Sequence, residues 1–266
     1  MREPAFLVEP RRRQLLDFLM NACVWLGVAP IVKYTALSFF ADRFLPCLPR
    51  ISRENSAQNW LLHPLTESKL QIFILISLWI SSKLHDTYPM SSKMLKSFGD
   101  RHIKDQHFTM RDFVEAEIIF MEVLNYEIGA SNVTFLFLEE LLIQFRQFYA
   151  WTYFPCSFGY VEIGELVSFH ACMDIMDLLY ETEEAASLYG HSRPLAASIL
   201  VTSYILTVPK QRWEFPVLPW VKFAASHEEE HVEQLVRKVL EHILVPTTTS
   251  TMSPGYVEPS CQVTKD

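Results

Sequence analysis

Residues 69–86 read KLQIFILISLWISSKLHD. From Lys69 to Leu84 this run predicts a helix that is apolar almost all round, the pattern of a helix enclosed by other helices. Its unbroken apolar stretches, Ile72 to Ile76 and Leu78 to Ile80, fall far below the roughly 18 residues that a membrane span needs. An all-α bundle built around this segment follows. Two charges disturb the apolar phase. Lys83 stands one or two helical turns after Ile76, Trp79 and Ile80, and Glu117 stands one turn from both Phe113 and Phe120 in a later segment. Burying a lone charge costs several kcal/mol. Three readings are open: the two pair with each other, they share a surface that a partner covers, or Lys83 snorkels at a helix end while Glu117 sits at a stripe edge. Arg12 and Asp42 also flank apolar positions and could tie a first helix to a second.

Working outward, the spacing predicts a first helix from Arg12 to Leu26 ended by Gly27, and a second from Val32 to Leu45 stopped by Pro46. Residues 46–68 read as a polar, proline-punctuated loop. A short helix is expected at Ser91–Phe98, ended by Gly99. Thr109 and Asp112 then make a capping box for a helix that runs to about Tyr126, with Gly129 beyond. Residues 131–245 give a weaker helical series. Ser131 or Asn132 caps a helix to Phe145, Phe169–Tyr180 and Pro194–Thr207 follow, and Ser226 with Glu229 caps a last helix to Leu244. Residues 145–160, FRQFYAWTYFPCSFGY, show no helical phase; an aromatic plug, an exposed patch and an insertion all fit. Residues 246–266 are rich in Ser, Thr and Pro and are expected to be disordered.

Composition excludes several classes. There are 7 glycines in 266 residues, and none of their spacings makes a GxGxxG or GxxxxGK loop, so the chain is neither a nucleotide-binding enzyme of those types nor a kinase. A net charge of −8 works against a nucleic-acid partner. The 5 cysteines, Cys23, Cys47, Cys156, Cys172 and Cys261, contain no CxxC and read as reduced thiols of an intracellular protein. Arg11-Arg12-Arg13 before Leu15–Val28 has the outline of a signal peptide, but Asp17 and Asn21 interrupt it and point to an amphipathic helix. The string from His227 to His231, HEEEH, satisfies HExxH formally. With Ser226 as cap, its glutamates match a helix dipole instead. Arg13, Leu16 and Asn21 fit the degron pattern RxxLxxxxN, yet Leu16 would be packed in the first helix. No catalytic, cofactor or metal constellation is expected.

Four strings in order resemble the cyclin box. RRRQLLDFL (Arg11–Leu19) resembles MRAILVDWL, FFADRFL (Phe39–Leu45) resembles NYIDRFL, residues 69–86 resemble KLQLVGVAAMFIASKYEE, and AEIIFMEVLNYEIG (Ala116–Gly129) resembles MEHLVLKVLTFDL. With VKYTALSFFADRF and VPKQRWEFPVLPWVK, the chain is similar over nearly its whole length to the divergent plant J-type cyclins. The resemblance implies tandem cyclin-box five-helix bundles. A short arm at 1–10 would precede a first box at 11–130 and a more divergent helical domain at 131–245. It further implies a regulatory subunit, found in nucleus or cytoplasm, that binds and allosterically activates a cyclin-dependent protein kinase in the cell cycle. Lys83 and Glu117 would grip the kinase, Arg12 and Asp42 would form a fold-bracing ion pair, and catalysis would belong to the partner. The alternatives are a non-activating scaffold and a transcription-factor-type protein that binds DNA or the transcription machinery.

Departures from the family pattern are specific. Arg11 and Gln14 replace apolar residues of MRAIL, Phe18 replaces its tryptophan, Leu84-His85-Asp86 stands for YEE, and the loop at 46–68 is longer than the pattern. The few residues before the first helix leave no room for a long degron arm. Ser253-Pro254 has the form of a proline-directed phosphosite.

Overall fold

The computed structural model describes residues 9–54, 59–129, 133–151, 167–210, 215–225 and 229–244, and among them there is no strand. Helix α4 (Glu67–His85) is buried on nearly every face from Ser68 to Ser82, with Gln71 and Trp79 the partly exposed positions. Its buried hydroxyls stay satisfied locally: Ser77 donates to the Ile74 carbonyl at 2.8 Å. Four helices pack against it: α1 (Glu9–Leu26), α2 (Pro30–Leu37), α5 (Ser92–His102) and α6 (Met110–Val123). Phe44, Phe73 and Phe120 close the centre, with Phe44 4.7 Å from each of the other two ring centroids.

A second set of helices surrounds α10 (Ser192–Thr207), whose residues Leu195 to Tyr204 are all buried. Around it lie α7 (Thr134–Trp151), α8 (Phe169–Leu179), α11 (Val217–Ala225) and α12 (Glu229–Leu244); α9 (Glu183–Ala186) and a 3₁₀ turn (Ser187–His191) lead into it. The two cores join through Tyr34 and Phe135, stacked at 5.2 Å.

Several boundaries differ from the expectations, each for a local reason. Pro46 does not stop the second helix. After α2 the chain widens into a π-helical segment, Ser38–Phe44, in which the Leu45 amide reaches back to the Phe40 carbonyl, and α3 (Leu45–Glu54) then continues through the expected loop. Pro46 is the second residue of α3, directly behind the π-helical segment, where the regular i→i−4 ladder is already interrupted and a missing N–H costs less than inside an α-helix. Gly99 ends nothing: it lies buried inside α5, beside Phe113 and Leu75. Helix α6 stops at Val123 rather than near Tyr126, because Asn125 and Tyr126 take left-handed backbone (φ 52° and 58°). Helix α1 starts earlier than Arg12, at Glu9, and α10 starts at Ser192 rather than Pro194.

Helix α7 runs to Trp151, so the first residues of the aromatic segment do keep helical phase. Phe145 is fully buried one turn beyond Leu141 and Leu142. Residues 152–160, both expected caps of α7, and Ser226 lie outside the described residues, as does the 246–266 tail. Helices α9 and α11 were not expected, being too short for a clear period. The capping box at Thr109 and Asp112 is present in both directions.

Two glycines separate cleanly by backbone. Gly27 (φ 62°) closes α1, with the Val28 amide bonded to the Cys23 carbonyl at 3.2 Å, so Gly27→Ala should cost about 1 kcal/mol. At Gly99 an added Cβ would meet Phe113 Cζ at 3.4 Å and Leu75 Cδ1 at 3.5 Å, which is ordinary contact, so Gly99→Ala should hold or raise stability by up to ~1 kcal/mol through helix propensity. The urea unfolding midpoint should therefore fall for Gly27→Ala and stay level or rise for Gly99→Ala.

Candidate functional site

The enclosure of α4 ends at its last turn, where the chain leaves the bundle and Lys83 emerges. Its Nζ lies 2.5 Å from Glu117 Oε1 on α6 and 3.6 Å from the centroid of the Trp79 ring. The two ionic side chains are 39% and 24% exposed. The structure thus brings together the two charges singled out in the sequence, at the surface. An ion pair this exposed adds little stability by itself. Its surroundings are unusual in a different way: Leu84, Val114, Ile118 and Tyr88 are exposed apolar or aromatic side chains. Val114 lies one turn before both Glu117 and Ile118 on α6, so it neighbours each of them on the helix surface. Scattered exposed apolar residues are normal, but several beside one ion pair make a patch suited to a protein partner. In the Leu84-His85-Asp86 departure, His85 Nε2 lies 3.0 Å from Thr35 Oγ1, and burial lowers its pKa while Asp86 opposes that shift.

Arg12 and Asp42 lie elsewhere, in a cleft of about 450 Å³ between the two helical sets, lined also by Ser38, Pro46, Tyr189 and Ser192. They meet through a third residue. Arg12, only 5% exposed, donates from Nη1 to the Tyr180 carbonyl at 2.8 Å, and the Tyr180 hydroxyl donates to Asp42 Oδ2 at 3.2 Å. Burial raises the Asp42 carboxyl to about 7, against the opposing pull of the Tyr180 hydroxyl, Arg12 and Ser38. Burial also holds the Tyr180 and Tyr189 hydroxyls well above the usual range, the two rings stacking at 4.1 Å.

Beside this cleft a second polar link joins the halves. Lys33 Nζ is 2.6 Å from Asp177 Oδ2, and the Tyr34 hydroxyl donates to Asp177 Oδ1 at 2.9 Å. Sequence reading gave no sign of Lys33, Tyr34, Asp177, Tyr180 or Tyr189. Each link spans well over a hundred residues, and no local spacing encodes such a meeting.

The decoy motifs are described only in part. His227 and Glu228 lie outside the described residues, Glu230 and His231 are exposed on α12, and among the described residues no group of three or more metal-capable side chains gathers. Leu16 of the degron-like pattern is 4% exposed, and Arg13 faces Glu181 at 3.6 Å. Cys23 is buried and its thiol is pushed up to about 12, which leaves it unreactive. Cys156, Cys261 and Ser253 lie outside the described residues, and no helix among those described is long and apolar enough to cross a membrane.

Residues 2–129 match the family model described as cyclin, N-terminal domain. The chain is 51% identical to Cyclin-J18 of Arabidopsis thaliana over 233 residues, covering 88% of this chain and 94% of that one. It is 49% identical to Cyclin-J18-like of Oryza sativa subsp. japonica over 242 residues, covering 89% of this chain and 88% of the other. In fold it is similar to a viral cyclin from herpesvirus saimiri, with a TM-score of 0.58 at 16% identity over 90% of this chain and 86% of that one.

The Asp42 environment gives a pH signature of definite sign. A carboxyl whose pKa rises from 3.8 to about 7 on folding binds extra protons in the folded state between those values, so its contribution to stability is greatest below pH 4 and is lost as the pH climbs to 7. Asp42→Asn should therefore match the parent chain near pH 4.5 and exceed it in thermal midpoint at pH 8. The opposite trend would mean that attraction to Arg12 outweighs burial.

Proposed function

The chain belongs to the cyclin family, in its plant J-type branch, and on that premise we propose that it is the regulatory subunit of a cyclin-dependent serine/threonine kinase. The single observation that carries this reading is the exposed Lys83–Glu117 ion pair with apolar Leu84, Val114 and Ile118 beside it. A kinase helix laid across α4 and α6 would cover the apolar residues and bring polar groups to both charges. The subunit carries no chemical step. By holding the kinase αC helix inward, it lets the kinase's own Lys–Glu pair and magnesium site assemble. Work in the nucleus or cytoplasm fits this role. Arg12 and Asp42 serve indirectly, by holding the second helical set against the first through Tyr180.

The experiment is co-purification with plant cyclin-dependent kinases, followed by kinase assay with and without the chain. Lys83→Ala or Glu117→Ala should weaken binding by about tenfold or more, the usual effect of leaving one partner of an interfacial charge pair alone, with activation falling in step. Circular dichroism should stay unchanged, since neither side chain is in the core. Unaltered binding with both replaced overturns the assignment, and binding without activation makes the chain a scaffold.

A further inference from the structure

Lys83 is a long, flexible side chain, yet it is held on two sides. Glu117 takes its charge, and the face of Trp79 lies beneath its ammonium at 3.6 Å, well inside the distance at which a cation is attracted by a ring. The spacing of four along α4 places Trp79 one turn below Lys83. Trp79 is itself fixed. Its indole Nε1 donates to the Met90 carbonyl at 3.0 Å, so the ring cannot turn without breaking a bond to the segment that follows α4.

That segment is tied down at both ends. The Asp86 amide bonds to the Ser82 carbonyl at 2.9 Å, Ser82 Oγ donates to Asp86 Oδ2 at 2.7 Å, and the Met90 amide donates to Ser82 Oγ at 2.8 Å. Between these anchors Tyr88 stands 91% exposed. A short loop with both ends bonded to one helix, carrying an aromatic ring into solvent, has met its ordering cost before any partner arrives.

We infer that Trp79 is the positioning residue of this edge: its ring face holds the Lys83 ammonium and its N–H holds the 86–90 loop, so that Lys83, Leu84 and Tyr88 form one preorganised binding surface. The inference deepens the kinase-docking reading and rests on it for the identity of the partner. Trp79 does not act by contact with the kinase; it acts through Lys83 and the loop.

Two measurements on the full chain test it. In the free protein, NMR should place the Lys83 ε-protons upfield of those of other lysines through the Trp79 ring current, and Trp79→Leu should return them to the ordinary position. In binding assays with a purified plant cyclin-dependent kinase, Trp79→Leu should weaken affinity roughly 3- to 30-fold, the range expected from loss of a cation–π contact. Trp79→Phe, which keeps a ring face but no N–H, should fall between the two. In a Lys83→Ala background the loss from Trp79→Leu should shrink to the part carried through the 86–90 loop, because the ring face then has no ammonium to hold. Lys83 protons at ordinary shifts, or an undiminished Trp79→Leu loss in the Lys83→Ala background, would overturn the inference. If Lys83→Ala itself leaves affinity unchanged, the docking reading fails, while the positioning role is still decided by the NMR shift.

Discussion

A helix buried on every side has only its ends to offer. Helix α4 is closed in by α1, α2, α5 and α6 over nearly all its length, and from Ile72 to Leu78 every residue is buried, so that stretch cannot meet a partner. Whatever α4 contributes to the outside must come from its last turn. Lys83 is that contribution, and the enclosure explains why a lysine in apolar phase is not a misplaced charge. It continues the buried stripe for its methylenes and leaves the bundle for its ammonium. Glu117 meets it because α6 packs along the same helix.

Legibility from sequence followed the range of the interactions. The all-α class and the central helix were visible because apolar residues on every face of a segment have one physical meaning. Lys83 and Glu117 were visible because a charge in apolar phase breaks a local pattern. What the sequence could not give was the proximity of the pair, which depends on how α4 and α6 pack. The misread boundaries are instructive too. Pro46 and Gly99 read as breakers on their intrinsic preferences, but a π segment ahead of Pro46 and the burial of Gly99 inside α5 overrode both. The helix expected to run to about Tyr126 stops sooner because Asn125 and Tyr126 themselves take left-handed backbone, three to four residues ahead of Gly129.

The junction between the halves was illegible for another reason. Lys33 with Asp177, and Arg12 and Asp42 with Tyr180, are directional polar links between residues far apart in the chain. Apolar contact between the cores, such as Tyr34 on Phe135, tolerates some sliding. Hydrogen bonds to named atoms do not, so these links set the angle at which the second helical set stands to the first.

The π segment Ser38–Phe44 bears on both regions. Asp42 faces the Tyr180 junction, while its neighbour Arg43 bonds to the Glu127 carbonyl at 2.7 Å, just past the left-handed turn that ends α6. Two consecutive residues thus serve as mounts for two different parts of the molecule. A lineage that inserted or lost one residue here would rotate both mounts together, so the segment should drift in evolution as a block, with its length held fixed while individual surface residues around it vary.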